Sequence, residues 1–249
     1  MKRSTLALPL LSALTLATLT ACGGGDGDGA SDAKTTDRAK ATASASPAKP
    51  SVDPAKELAK LLVTKAEAGD YNVREPEAGD AMATTQEQLR VDKAACAPMA
   101  YATNYLPLGD PEASLVRVAD KGTSTYNYIT LATYAPGKAE AAMKDLAKAA
   151  SACTGGYTAK SDKASTTYSS VKKETAPTGT DTDTGADESI ATASVVPYKG
   201  TQTMRTQTFR FGDTIVNYFS INTYGFLNGR SSEADIPTDL VKAQNKKLG

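Results

Sequence analysis

The chain has 249 residues, with 28 basic and 28 acidic side chains and neither histidine nor tryptophan. The absence of histidine excludes Ser-His-Asp and Cys-His catalysis, and it removes the usual His-ligated zinc and iron sites. Hydrolysis by a pair of carboxylates needs no histidine, and the separation of two carboxylates is invisible in a sequence. The composition therefore predicts no cofactor and no metal, and it leaves carboxylate catalysis open.

The N-terminal segment has the pattern of an export signal. A basic Met-Lys-Arg start precedes an uncharged, apolar stretch over residues 6–19. That stretch is shorter than the about 20 residues of a membrane-spanning helix and fits the apolar region of a secretory signal. Leu-Thr-Ala-Cys at residues 19–22 resembles the bacterial lipobox, in which cleavage exposes a cysteine that carries diacylglycerol. We predict a lipoprotein signal peptide over 1–21, cleavage between Ala21 and Cys22, and lipidation of Cys22.

The predicted mature chain is slightly acidic and starts with a linker. Cleavage removes Lys2 and Arg3, so 28 − 2 = 26 basic residues face 28 acidic ones. This balance argues against nucleic acid or anionic lipid headgroups as partners, because both select clustered Lys and Arg. Residues 22–51 are small and polar and predict a flexible linker after the lipidated cysteine. Residues 52–249 form the predicted extracellular domain, lipid-anchored on the outer face of the cell membrane.

The folded part begins with a helix, since Asp53 is a suitable N-cap and Pro54 occupies the first helical position. The remaining predicted elements are a short helix at 97–102, strands at 115–119, 126–134, 165–173, 191–196, 202–211 and 214–223, and helices at 138–152 and 237–247. The acidic stretch at 175–188 is predicted as a loop. Phe-Gly-Asp-Thr at 211–214 indicates a tight turn that joins the last two strands in a hairpin. The pattern predicts an α+β fold, in which an antiparallel sheet of hairpins carries helices mainly on one face, with one disulfide.

Two cysteines remain in the predicted domain. Cys96 precedes the short helix, and Cys153 ends the apolar stripe of the helix at 138–152. In an exported protein the expected state of such a pair is a disulfide. The rival interpretation, a metal pair, has no second cysteine nearby and no histidine to complete it.

Tyrosines give the only indication of a binding site. Tyr126, Tyr128 and Tyr134 share one face of the strand at 126–134. Aromatic residues on a strand usually pack in the core or across strands. The alternative is a ligand-facing groove, because tyrosine offers apolar area together with a hydroxyl.

Several short motifs together resemble a known family. They are Gly-Asp-Tyr-Asn-Val at 69–73, Cys-Ala-Pro-Met at 96–99 and Ala-Ser-Ala-Cys at 150–153, followed by the late hairpin and a final helix. This arrangement resembles the extracellular sensor-like domain of the mycobacterial kinase PknH and the actinobacterial lipoproteins that carry the same domain alone. The resemblance implies an antiparallel sheet with flanking helices, disulfides and a cleft for an unknown ligand. This sequence has cysteines for one bridge rather than two.

The expected function is therefore a membrane-anchored, non-catalytic binding or sensor-like module. Its ligand would be a small molecule, a wall glycan or a protein, and its membrane contact would be the diacylglycerol on Cys22. The alternative function is a cell-wall glycan hydrolase that uses carboxylates.

Overall fold

The computed structural model describes residues 53–122, 124–175 and 185–249. The predicted signal peptide, Cys22, the linker and most of the predicted loop at 175–188 lie outside the described residues. The helices are α1 (Pro54–Lys60), α2 (Ala97–Ala102), α3 (Lys138–Ala152), α4 (Thr223–Asn228) and α5 (Thr238–Asn245). The strands are β1 (Asn72–Arg74), β2 (Arg90–Val91), β3 (Ala113–Asp120), β4 (Thr125–Thr133), β5 (Tyr157–Lys160), β6 (Ser165–Tyr168), β7 (Ser170–Glu174), β8 (Glu188–Pro197), β9 (Thr201–Phe211), β10 (Thr214–Asn222) and β11 (Ser232–Glu233). Within these ranges, no helix has the length and apolar character needed to span a bilayer.

A large antiparallel sheet dominates the architecture. Its strand order is β1-β3-β4-β10-β9-β8-β7, and β11 pairs in parallel with the start of β9. The β3–β4 hairpin and the β8–β9–β10 meander meet where β4 pairs with β10 along the full length of both strands. A second sheet contains β2, β5 and β6. The predicted α+β class with an antiparallel sheet of hairpins is confirmed.

Helices cover both faces of the large sheet. On one face α2 and α3 pack over Tyr128, Ile215 and Phe219. On the other face α1 and α5 pack over Ile129 and Tyr218. The sequence led us to expect helices mainly on one face. Both alternating sets of side chains in β4 and β10 are largely apolar, so each face of these central strands requires its own cover.

The helix predicted at 138–152 is α3, and it carries the disulfide at its end. Its buried side is formed by four alanines with Met143 and Leu146. Cys153 follows directly and is bonded to Cys96, with the two Cα atoms 5.8 Å apart. Both cysteines are fully buried in the same cluster as α2 and α3. The predicted Cys96–Cys153 bridge is confirmed.

The single strand predicted at 165–173 is wrong, because the segment forms two strands in different sheets. β6 pairs with β5 in the small sheet, whereas β7 pairs with β8 in the large one. Ser169 lies between them, and its amide donates to the carbonyl of Val195 at 2.8 Å. The chain bends at Ser169 and changes partner there, and buried side chains change from alternate positions to Tyr168 and Val171 on either side of the bend.

Candidate ligand-binding groove

A groove of about 480 Å³ opens where β4 begins and β10 ends. Tyr126 lies directly opposite Ile221 in the sheet, and Tyr128 lies opposite Phe219. Because these four residues point to one face, the strand pairing itself builds an apolar floor. The groove is lined by Asp80, Tyr126, Tyr128, Ile221, Thr223, Phe226 and Leu227.

One wall of the groove is the short helix α4. The side chain of Asn222 caps its start by accepting from the amide of Gly225, and Gly229 ends it in the left-handed region at φ 62°. A Cβ at Gly225 would collide with the side chains of Ser232 and Gln202. This close packing fixes α4 against β9 and β11, so Phe226 and Leu227 are presented at a defined position beside the groove.

Tyr128 is held in place by a stack of rings. Its ring lies 4.1 Å from that of Tyr105, nearly parallel at 9°, and 5.8 Å from that of Phe219. Burial, with a smaller contribution from Asp80, raises the pKa of Tyr128 to about 12, so the hydroxyl is neutral at physiological pH. The groove floor is therefore rigid, uncharged and aromatic.

The segment that carries Tyr105 is fixed by buried polar side chains of the sheet. Thr130 donates from its hydroxyl to the carbonyl of Tyr105 at 3.0 Å, and Asn217 donates to the carbonyl of Ala102 at 3.0 Å. Tyr105 itself adopts φ 44°, which is uncommon for a residue other than glycine, and its hydroxyl donates to the carbonyl of Asp80. This constrained backbone places the ring over Tyr128.

The polar rim of the groove is an ion pair beneath an aromatic ring. Arg74 contacts the carboxylate of Asp80 at 3.2 Å, and its guanidinium carbon lies 6.0 Å from the centre of the Tyr126 ring. Tyr126 is only half-buried, so its ring borders the open groove. The rim thus combines an aromatic edge with an arginine that also lies near two further carboxylates, those of Glu77 and Asp120.

The three predicted tyrosines do not lie together. Tyr126 and Tyr128 line the groove, whereas Tyr134 is buried in the core and donates to the carbonyl of Leu108 at 2.7 Å. Sequence reasoning missed Tyr105 and the residues of α4. Nothing in the sequence near Tyr105 signals its position, but the apolar Phe-Leu pair within Tyr-Gly-Phe-Leu-Asn could have indicated an apolar surface.

A second, polar cavity of about 290 Å³ lies next to Tyr71, Lys121 and Asn127, and it holds two carboxylates, Glu233 and Asp235. Both are bound by the guanidinium of Arg205, at 3.0 and 3.4 Å respectively. Elsewhere the shifted carboxyl groups, Glu67, Asp70, Glu87 and Glu140, all have a lowered pKa, chiefly from hydrogen bonds to lysine or to the backbone. Across the described ranges no three acidic or cysteine side chains converge in a way that could hold a metal ion.

Comparisons with known proteins bear on the fold. No protein-family profile matches the chain, and no curated protein sequence matches it. The crystal structure of the extracellular domain of PknH from Mycobacterium tuberculosis aligns over 80% of this chain and 96% of its own, with a TM-score of 0.50 and 10% identity. An uncharacterized protein from Mycobacterium smegmatis aligns over 80% of this chain and 98% of its own, with a TM-score of 0.34 and 14% identity. The first likeness confirms the resemblance at the level of architecture: this chain shares the fold of the PknH extracellular domain.

Proposed function

We propose that the chain is a lipid-anchored binding module of the sensor-like type, held on the outer face of the cell membrane, and that it acts without catalysis. The export signal and the lipobox at residues 19–22 support the location. The similar fold of a domain described as extracellular in PknH agrees with it.

The observation that carries the binding role is the tyrosine groove. Ligand sites are commonly concave and mostly apolar, with a few polar groups at the edge. Here Phe226 and Leu227 supply an apolar wall, and Ile221 with the stacked ring of Tyr128 supplies a fixed floor. Because the floor is already rigid, binding requires little ordering of side chains, which favours affinity. The groove fits a ligand with an apolar or aromatic body, whether a free small molecule, a substituent of a wall glycan or a side chain of a protein.

The competing function, a carboxylate-dependent glycan hydrolase, requires a general acid whose pKa is raised by its surroundings. The two carboxylates of the polar cavity instead both contact the guanidinium of Arg205. Asp80 at the groove is likewise paired, with Arg74. Each of these carboxylates is thus engaged by an arginine rather than placed alone in an apolar pocket, an arrangement that suits binding.

The groove can be tested with an apolar fluorescent probe, anilinonaphthalene sulfonate, because the chain has no tryptophan to interfere. We expect saturable binding that Tyr126→Ala weakens at least about fivefold, as expected for the loss of about 1 kcal/mol of aromatic contact. Tyr71→Ala, the same change at a partly exposed tyrosine of the polar cavity, is the matched control and should bind the probe normally. Equal binding by wild type and Tyr126→Ala would refute the groove as the site.

Release assays separate binding from hydrolysis. The purified mature chain is incubated with peptidoglycan and with wall glycans, and soluble fragments are measured. We expect no release. Release that is lost in Glu233→Gln or Asp235→Asn would establish the hydrolase instead.

The anchor is tested separately in cells by labelling with palmitate. Cys22→Ala should remain unprocessed by lipoprotein signal peptidase and should carry no label, because the acceptor sulfur is gone. Normal labelling of this variant would disprove lipidation at Cys22.

A further inference from the structure

The β8–β9 turn and α4 together form what we call the apolar tip, defined by Tyr198, Lys199, Tyr224, Leu227 and Arg230. Tyr198, Tyr224 and Leu227 are exposed to 45%, 54% and 81%. In the part of the chain that the structure describes, these are the large apolar or aromatic side chains that stand in solvent, and all three lie in these two segments. Single exposed apolar residues are ordinary on protein surfaces, whereas their confinement to one place indicates an interaction site.

The two segments of the tip are fixed to each other. The ring of Tyr198 stacks on that of Phe226, with centres 5.6 Å apart. The amide of Gln202 donates to the carbonyl of Tyr198 at 3.2 Å and to that of Arg230 at 2.7 Å. Thr201 adds a bond from its backbone amide to the hydroxyl of Ser231. The exposed side chains therefore lie on two segments that ring stacking and hydrogen bonds hold together, not on a loose loop.

The charge of the tip is opposite to that of the predicted mature chain. Residues 197–203 and 223–232 contain Lys199 and Arg230 and no aspartate or glutamate. Neither cation forms an ion pair within the described ranges; the Lys199 ammonium lies 5.6 Å from the centre of the Tyr198 ring. The slight overall acidity of the predicted mature chain, which argued against anionic headgroups, therefore does not hold for this local surface, where two positive charges have no ion-pair partner among the described residues.

We propose that the apolar tip docks on the surface of an anionic phospholipid bilayer. Tyrosine rings are favoured at the depth of the headgroups, and lysine and arginine bind the lipid phosphates. An apolar side chain that projects as far as Leu227 needs no complementary pocket in a bilayer, since it enters the acyl boundary directly. A protein partner would have to supply a pocket for it. Charge complementarity and this projection favour lipid over protein.

The predicted tether allows this contact, and this step rests on the lipid anchor of the proposed function. Thirty residues, 23–52, separate Cys22 from Asp53. Fully extended they could span roughly 100 Å, whereas a domain of this size has a radius of gyration of roughly 16 Å. The tether thus lets any face of the domain reach the membrane, and the tip selects which face does so. Since Leu227 also lines the groove, docking brings the groove to the bilayer surface.

Vesicle sedimentation tests the tip apart from the anchor. The mature chain, residues 22–249, carries Cys22→Ser so that no lipid is attached. We expect it to sediment with vesicles of phosphatidylcholine and phosphatidylglycerol, and to sediment much less with phosphatidylcholine alone. Lys199→Glu should weaken binding about thirtyfold, because the sign of one interfacial charge is reversed. Tyr224→Ser should weaken it about fivefold or more by removing an interfacial ring.

Lys163→Glu, at an exposed turn outside the tip, is the matched control and should bind like the parent chain. Absence of sedimentation with anionic vesicles would overturn the proposal, and so would an equal loss in Lys163→Glu and Lys199→Glu. Self-association lost in Tyr224→Ser, without vesicle binding, would overturn it in favour of a second copy of the chain. Failure of the proposed binding groove would be seen separately: Tyr126→Ala would bind the fluorescent probe as well as the wild type does, while vesicle binding would be retained.

Discussion

Removal of the Cys96–Cys153 bridge should lower stability more than the size of the molecule suggests. The cysteines are 57 residues apart, and the loop-entropy relation gives about 4 kcal/mol for closing such a loop in the unfolded chain. The bridge also joins α3 to the turn before α2. The buried side of α3 is largely alanine, which removes little apolar area from water per residue. Docking of α3 therefore depends on the covalent link more than docking of a leucine-rich helix would.

The expected effect is a melting temperature about 8–16 °C lower, since a domain of about 200 residues shifts by about 2–4 °C per kcal/mol. Circular dichroism melts of the Cys22→Ser mature chain, with and without a phosphine reductant, measure it. A thiol titration in denaturant should find no free thiol before reduction and two after it. Two thiols in the oxidised preparation would refute the pairing in the protein as produced. An unchanged melt after complete reduction would refute the argument about α3.

Three further predictions concern other parts of the domain. Gly156→Ala should lower the free energy of unfolding, measured by chemical denaturation, by roughly 2–4 kcal/mol, because the new Cβ would collide with the last carbonyl of β6. Gly137→Ala is the control: Gly137 also has a positive φ, but there is open space around it, so this change should lower the free energy of unfolding only by the backbone strain. A hydrogen bond from Lys247 lowers the pKa of Glu67 to about 2, so Lys247→Met should raise that pKa in an NMR titration. The stabilisation from Glu67 is present above its ordinary pKa of 4.5 and is lost as the pH falls towards 2. Tyr134→Ala should cost about 3–5 kcal/mol as a core truncation, and a loss below about 1 kcal/mol would contradict its placement in the core.

The elements that the sequence predicted well are those whose signals are local. The periodic stripe of α3, the alternation in β4 and the Gly-Asp turn between β9 and β10 each lie within one segment, and the structure agrees with all three. The short strands β1, β2, β5 and β11 were not predicted. They contain two to four residues each, so neither periodicity nor composition can distinguish them from loops. Their pairing is decided by distant partners, as in the contact of Val91 with Ala159.

The helix α4 was missed for a related reason. It has six residues and contains Gly225 in its interior, which lowers helix propensity. The glycine is required by close packing against Ser232 and Gln202, which are near in space but separated from it along the chain. The wall of the groove and one half of the apolar tip therefore depend on a tertiary contact that no local pattern records.

The tyrosine face of β4 shows the limit of strand periodicity as a guide to a site. Alternation places Tyr126, Tyr128 and Tyr134 on one face, and the structure agrees. From Tyr126 to Tyr134, however, eight residues of strand extend about 26 Å at about 3.3 Å per residue, which is too long for all three to line one small-molecule groove. The groups that cover these rings come from other segments of the chain. The ring of Tyr105 stacks on Tyr128, and the carbonyl of Leu108 accepts a hydrogen bond from the hydroxyl of Tyr134. Tyr126 stays partly exposed because α4 lies beside its ring rather than over it. The strand therefore determines on which face each tyrosine lies, and the segments packed over that face determine how deeply each ring is buried.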